Sequence, residues 1–488
     1  MIMKNIFTKS LYVLSLVTMM SGCNGALEEE PRTFVSPDAY FNGGFDSYDL
    51  AVVGVYRTIR NTLGHGAWLT RESFSDIIGP VSGGYEQGTP VYQNNHQPFF
   101  YNVRDQWTNH YTIIKDANFI ISQLGKANVL TDQQKISLSG EARLLRAYAY
   151  FQLVQLYGDV PVRTEPLPDY SDESLKIPRS PQAEVYKLIV DDLQFAESGL
   201  PENSVTIGRV NKWVATSLLA KVYLTMAGEP LKQTELYAKA KEKAVAVINS
   251  GKYNLVLDYA QVFHNTSYTT ESIWEQTYQV GVGGNPLMQN SATAPGYNYI
   301  VTPATWFINS FPEGDRRKEW GIEQNFAAPS GALAPFFNKF VNQIWLKEGR
   351  TTDYVGRLDF TVPLLRLAEM YLVAAEAENE LNGPVAAYQY INAIRKRARI
   401  NPAQATHVPD LSGLTKEAFR NAVLMERKWE LHLEGSTWYD LKRTGTLNRI
   451  QTIRGNTLVN PIGDYNKTWY IPDIEIQNNN IQQNPLYK

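Results

Sequence analysis

Cysteine is nearly absent from this sequence: among 488 residues there is one, Cys23, so a disulfide within the chain is excluded. A basic excess is absent too. Lys and Arg total 46 against 49 Asp and Glu, a formal net charge of −3, so no surplus positive charge is available for nucleic-acid phosphates. Nucleic acid is not an expected partner. Histidine is sparse and scattered, at His65, His96, His110, His264, His407 and His432, with no HExxH pair and no second Cys to complete a zinc cluster. No metal and no cofactor are expected. Neither a GxSxG elbow nor a phosphate-binding loop occurs, because Gly281-Val282-Gly283-Gly284 is not followed by Lys-Ser or Lys-Thr. The apolar run from Leu11 to Met20 is about half of the roughly 20 residues that span a bilayer. With Lys4 and Lys9 before it and Ser21-Gly22 after, residues 1–22 read as a secretory signal.

The rest supplies a large core. Hydrophobic residues make up 43% of the chain, which is too long for one simple bundle. The 29 Tyr and 10 Trp exceed what a stack of helices needs and hint at a recognition surface. The leader resembles a bacterial lipoprotein signal, with Met20 where Leu is usual, and that resemblance implies cleavage before Cys23 and lipidation of its thiol and amine. Cleavage removes two Lys, leaving 44 positive against 49 negative residues, or −5. Several acyl chains make anchoring stable rather than marginal. Residues 23–42, with Glu28-Glu29-Glu30-Pro31, read as a tether, and 43–488 as a single domain.

The best-specified stretch is Phe360 to Ile400. Leu364, Leu367, Tyr371 and Ala375 fall on one helix face, Asn382-Gly383-Pro384 stops that helix, and Ala387, Tyr390, Ile391, Ile394 and Ala398 form a second stripe. Three other segments repeat this plan. The first sets Leu50, Val53, Gly54 and Tyr56 against Trp107, Tyr111, Ile114, Asn118 and Ile121. The second sets Leu138, Ala142, Leu145, Ala149 and Leu153 against Val185, Leu188, Ile189 and Ala196, with Ser180 as N-cap and Pro181 as first helical residue. The third sets Val214, Leu218, Val222 and Thr225 against Tyr237, Ala240, Ala244 and Val247. Four helix pairs, at about 46–124, 137–199, 209–250 and 361–398, resemble a degenerate tetratricopeptide-like array in a mainly α fold. Long insertions at about 63–105 and 281–349 show neither helical nor strand period, while Glu271 to Val280 suits a strand. Loops this long on a rigid scaffold are commonly functional.

Several segments in order resemble the SusD/RagB-like outer-membrane glycan-binding lipoproteins. They are the signal ending at Cys23, EARLLRAYAYFQLVQLYGDVPV (Glu141 to Val162), RLAEMYLVAAEA (Arg366 to Ala377), INAIRKRA (Ile391 to Ala398), ERKWELHLEG with WYDLKR (Glu426 to Arg443), and the ending Ile471-Pro472 with Gln483-Asn484-Pro485. The resemblance implies a helical scaffold with a loop-rich binding side opposite, and a binding protein rather than an enzyme. It also implies capture of an oligosaccharide and delivery to a SusC-like TonB-dependent β-barrel transporter, from a lipid-anchored position on the outer-membrane surface. Asn24, in place of the Asp of inner-membrane retention, and the triple-Glu run suit that location. Alternatives are a peptide-binding lid of a nutrient importer, a lid that touches no ligand, and a surface glycosidase.

A glycosidase needs two carboxylates at a set separation, and the sequence places no such pair. Glu376, Glu378 and Glu380, and Glu426 and Glu430 beside Arg427 and Lys428, read as solvated or ion-paired helix faces, and His432 as structural. Aromatics remain, because a pyranose stacks its C–H face on Trp or Tyr while its hydroxyls need amide or guanidinium partners. Trp107, Trp213, Trp274, Trp429 and Trp438 sit in helix stripes, a strand or the quoted blocks and read as core. Trp306 precedes an FPEGDRR turn and is read with it as structural, and Trp320 is a weaker extra. The expected glycan contacts lie in the irregular insertions: Trp68, Arg71, Tyr85, Tyr92, Asn94, Tyr297, Asn298 and Tyr299.

Overall fold

Thr131 opens the longest buried helix with a capping box: its hydroxyl accepts from the Gln134 N–H at 3.3 Å, and the Gln134 side chain returns to the Thr131 N–H at 2.9 Å. The structure is a computed structural model and describes residues 36–63, 71–80, 88–169, 171–278, 302–327, 333–340, 360–485 and 487. Its scaffold comprises α1 (Phe45–Thr62), α2 (Tyr101–Lys126), α3 (Asp132–Tyr157), α4 (Gln182–Gly199), α5 (Lys212–Ala227), α6 (Tyr237–Asn249), α7 (Leu367–Asn382) and α8 (Tyr388–Ala398). Each packs chiefly on its neighbours in the series. From Leu138 onward α3 is buried nearly all round, as a helix in mid-stack must be. Asn211 caps α5, its side-chain oxygen accepting from the Trp213 and Val214 amides at 2.9 and 3.1 Å. The mainly α expectation holds.

Three local expectations are corrected. In α1 the buried stripe is Tyr48, Val52, Val55 and Ile59, whereas Leu50 is 61% and Val53 42% exposed. Both stripes have helical spacing, and the position of α2 decides between them. The second-pair helix starts after Pro181, and the Asp159 carboxylate, rather than Ser180, accepts from the Gln182 N–H at 3.0 Å. The stretch expected to be helical from Phe360 begins instead as strand β4 (Val362–Arg366), antiparallel to β1 (Ser272–Gln276), with Leu365 opposite Trp274. Pro363 disfavours a helix there, and α7 starts only at Leu367. Gly383, at φ 85, ends α7 in a conformation that costs other residues a Cβ clash.

The described parts of the insertions carry more regular structure than their texture suggests. Short helices Thr305–Ser310 and Arg316–Gly321 lead into a hairpin of β2 (Ile322–Ala327) and β3 (Leu333–Phe337). Beside the scaffold core lies a second one, in which Ile77, Ile78 and Tyr92 of the first insertion join Phe307, Phe311, Phe336 and Phe337 of the second. Most of the rings that fill this second core are Phe, with Tyr92, Tyr259 and Tyr278 among them.

Two further helices, α9 (Lys416–Leu431) and α10 (Thr437–Arg443), carry the motif charges. The reading of Glu426 and Glu430 as an exposed helix face is overturned, for both are fully buried. Glu426 accepts from Arg317 at 2.5 Å and Arg395 at 2.7 Å, while Glu430 accepts from Arg366, Arg397 and Arg317. With Glu271, Asp315, Glu434 and Lys339 they form a cluster of five carboxylates and five cations, every side chain at most 8% exposed. Burial alone would raise the Glu430 pKa, but Arg397, Arg366 and Arg317 reverse that and hold it well below the usual carboxylate range. Glu376 is likewise buried, bonded to Arg443. The partners are remote in sequence, so i,i+4 spacing could not reveal them.

Candidate ligand-binding face

The insertions meet along a seam in which Asp76 to Pro80 runs beside Thr302 to Trp306. Ile78 bridges Pro303 in antiparallel fashion. The Gly79 N–H donates to the Thr302 carbonyl at 2.7 Å, the Ala304 N–H to the Ile77 carbonyl at 2.8 Å and the Thr302 hydroxyl to the Pro80 carbonyl at 2.8 Å. A Cβ at Gly79 would lie 2.9 Å from the Thr302 hydroxyl and 3.0 Å from the Pro303 carbonyl oxygen, so this approach requires glycine.

Charges pin the seam to the scaffold. The buried Asp76 carboxylate accepts from Lys428 of α9 and from Arg449 at 3.0 Å. Burial pulls the Lys428 pKa below its ordinary value, against the opposing effect of Asp76. Arg454 donates to the Tyr92, Ser73 and Ser75 carbonyls at 2.5–2.7 Å and lies 4.2 Å from the Tyr92 ring centre. Its pKa is pushed down to about 10 by burial. Trp306 donates its indole N–H to the Asp76 carbonyl at 2.9 Å, and the Arg449 guanidinium and Lys428 ammonium sit 5.2 and 5.5 Å from its ring centre. The indole is half-buried and the Arg449 side chain 47% exposed, so the seam offers an apolar ring surface beside a hydrogen-bond donor. Packing on the second core and the bond to the Asp76 carbonyl agree with the structural reading of Trp306, and its partly exposed ring surface is additional to that reading. The available signal was an aromatic within an insertion, but what opens the ring to solvent is a pairing to residues 230 positions away.

A family model described as the SusD family matches residues 193–487, and one described as starch-binding, associating with outer membrane, matches residues 59–224. The chain belongs to the SusD family. It is 28% identical to SusD-like protein P25 of Formosa agariphila, an alignment covering 90% of this chain and 89% of that one. Among solved structures, a SusD superfamily protein from Parabacteroides distasonis superposes with TM-score 0.78 at 23% identity, covering 90% of this chain and 99% of the other. A laminarin binding SusD-like protein superposes with TM-score 0.75 at 23% identity, covering 91% and 99%.

Within this SusD family member, three of the eight residues expected to contact ligand are buried, and that expectation is corrected for them. Asn94, 3% exposed and at φ 56, donates its amide to the Asn460 and Pro461 carbonyls at 3.0 Å and to the Tyr465 hydroxyl at 2.7 Å. Tyr92 belongs to the second core, and its ring faces Arg454. Arg71, 9% exposed, lies over Gly435 and lines a partly open cavity. Their polarity and loop setting suggested contact, but these parts of the first insertion fold back on the protein and use the groups internally. Trp68, Tyr85, Tyr297, Asn298 and Tyr299 lie outside the described residues, as does Cys23. In the chain, Tyr85 follows Pro80 by five positions and Tyr299 precedes Thr302 by three. Among the described residues no helix is long and apolar enough to cross a membrane, and no group of acids, His and Cys is arranged to hold a metal ion.

Proposed function

We propose that this SusD family member captures an oligosaccharide on the face where its insertions meet and delivers it to a SusC-like TonB-dependent β-barrel transporter. It works from the outer-membrane surface, held there by acyl chains on Cys23. The observation that carries the reading is the seam, where a half-buried Trp306 and a half-exposed Arg449 stand together beside the contact between the two insertions. Trp68, Tyr85, Tyr297, Asn298 and Tyr299 complete the contact set. Support comes from the starch-binding description of the model matching residues 59–224 and from the laminarin-binding neighbour of the same fold. Binding proceeds without bond cleavage, and the acids weighed as a catalytic pair, Glu376, Glu378, Glu380, Glu426 and Glu430, are all held in ion pairs.

Isothermal titration of the mature protein with starch and laminarin oligosaccharides, alongside a peptide library, tests the proposal. Saturable heat is expected with an oligosaccharide, and Trp306→Ala should weaken it about tenfold, roughly what one stacked ring contributes. Binding confined to peptides, or binding indifferent to Trp306 and to Ala at Trp68, Tyr85, Tyr297 and Tyr299, refutes it.

A further inference from the structure

A partly open cavity of about 80 Å³ lies between α3, α5, α7 and the stretch Leu433 to Arg443. At roughly 10–15 Å³ per water it has room for a handful of waters or one small ion. Its charged walls are Arg71, Lys221, Arg427 and Arg443 against Glu369, Glu434 and Asp440.

Most of these charges are spent. Arg443 binds Glu376 and Asp440, Lys221 lies 2.9 Å from Glu369, and Glu434 belongs to the balanced cluster of five acids and five bases. Two guanidiniums keep free donors. Arg427, 4% exposed, gives Nε to Asp440 at 2.7 Å and brings Nη2 within 3.6 Å of Glu369, but its Nη1 has no partner. Arg71, 9% exposed, has an unpartnered Nε, and no carboxylate of a described residue forms an ion pair with it. Glu72, next in the chain, turns its carboxylate to the Gly435 N–H at 2.7 Å, and burial raises its pKa to about 7, so at neutral pH it is only partly charged. Apart from Glu434, and counting Glu376 behind Arg443, four cations face three full anions, while Arg71 has the partly charged Glu72 beside it and a hydrogen bond with Tyr439. A buried guanidinium N–H without an acceptor is costly, and an anion bound between these two donors supplies one.

We propose that this cavity is a binding site for a compact monoanion, a halide or a small carboxylate, held between Arg71 Nε and Arg427 Nη1. Arg71 stands three positions after Trp68 in the chain. Occupancy ties the start of the first insertion to α9 through a shared ion.

The test measures thermal unfolding of the mature chain at constant ionic strength in sodium bromide, acetate or phosphate, with sodium gluconate, too bulky for the cavity, as reference. The midpoint is expected to rise saturably, with half-saturation in the millimolar range, for bromide or acetate. Arg71→Gln and Arg427→Gln should each abolish the saturable part. Crystals of the unaltered protein grown in bromide give an independent readout that survives misfolding of either variant: an anomalous peak touching both guanidiniums supports the site. Water alone in the cavity, or the same response in every salt, overturns it. A response to phosphate only also overturns the choice of a compact monoanion.

Discussion

Replacing Glu430 by Gln removes one charge and almost no volume from the buried cluster. In the parent, its two oxygens accept from Arg366, Arg397 and Arg317, and the group is fully buried. The substitution turns five acids against five bases into four against five, leaving a guanidinium uncompensated where water cannot reach it. Breaking one side of a buried ion pair costs about 3–5 kcal/mol. Glu380 is the control: it holds Arg420 through two bonds of 2.6 Å, but the Arg420 side chain is 40% exposed, so Glu380→Gln should cost at most about 1 kcal/mol. Urea unfolding is the assay, since guanidinium salt would itself screen the charges. The pH dependence adds a second criterion. The folded pKa of Glu430 is depressed below the ordinary 4.5, so its stabilisation is present above that pH and is lost as pH falls. The gap between parent and Glu430→Gln should therefore narrow below about pH 4.5. A gap under about 1 kcal/mol at pH 7, or one that does not change on acidification, refutes the argument.

Burial raises Glu72 and Glu275 from 4.5 to about 7, so each contributes stability below pH 4.5 that is lost by pH 7, roughly 3 kcal/mol apiece at most. The double change Glu72→Gln and Glu275→Gln should flatten this fall, and chemical denaturation at pH 5 and pH 8 checks it. Gly228→Ala should destabilise by about 1–3 kcal/mol, because the new methyl meets the Arg443 carbonyl oxygen, which already accepts from the Glu229 N–H at 2.8 Å and cannot swing away. A lowered melting midpoint is the readout. Cys23→Ala should release the folded protein from the membrane fraction of cells lacking the partner barrel, as seen by fractionation and immunoblot. Retention in that strain counts against lipid anchoring at this residue.

The sequence alone determined the elements whose signal is local. Apolar spacing specified the helix pairs and Gly383 the end of α7, because each depends on residues within a few positions of one another, whereas the one cap read from the sequence, Ser180, gave way to the remote Asp159. The ordered motifs identified the family for the same reason. Tertiary structure decided which way α1 faces, since Leu50 and Val52 both lie on helically spaced apolar stripes and only α2 chooses between them. It also decided that Glu426 and Glu430 are buried, that Tyr92 and Asn94 serve the second core and its border, and that Trp306 opens beside Arg449. Each of these outcomes depends on a partner tens to hundreds of positions away. Charge and aromaticity in a sequence announce a costly or useful group, but only the fold supplies the counter-charge, the hydrogen-bond partner or the solvent that determines its role.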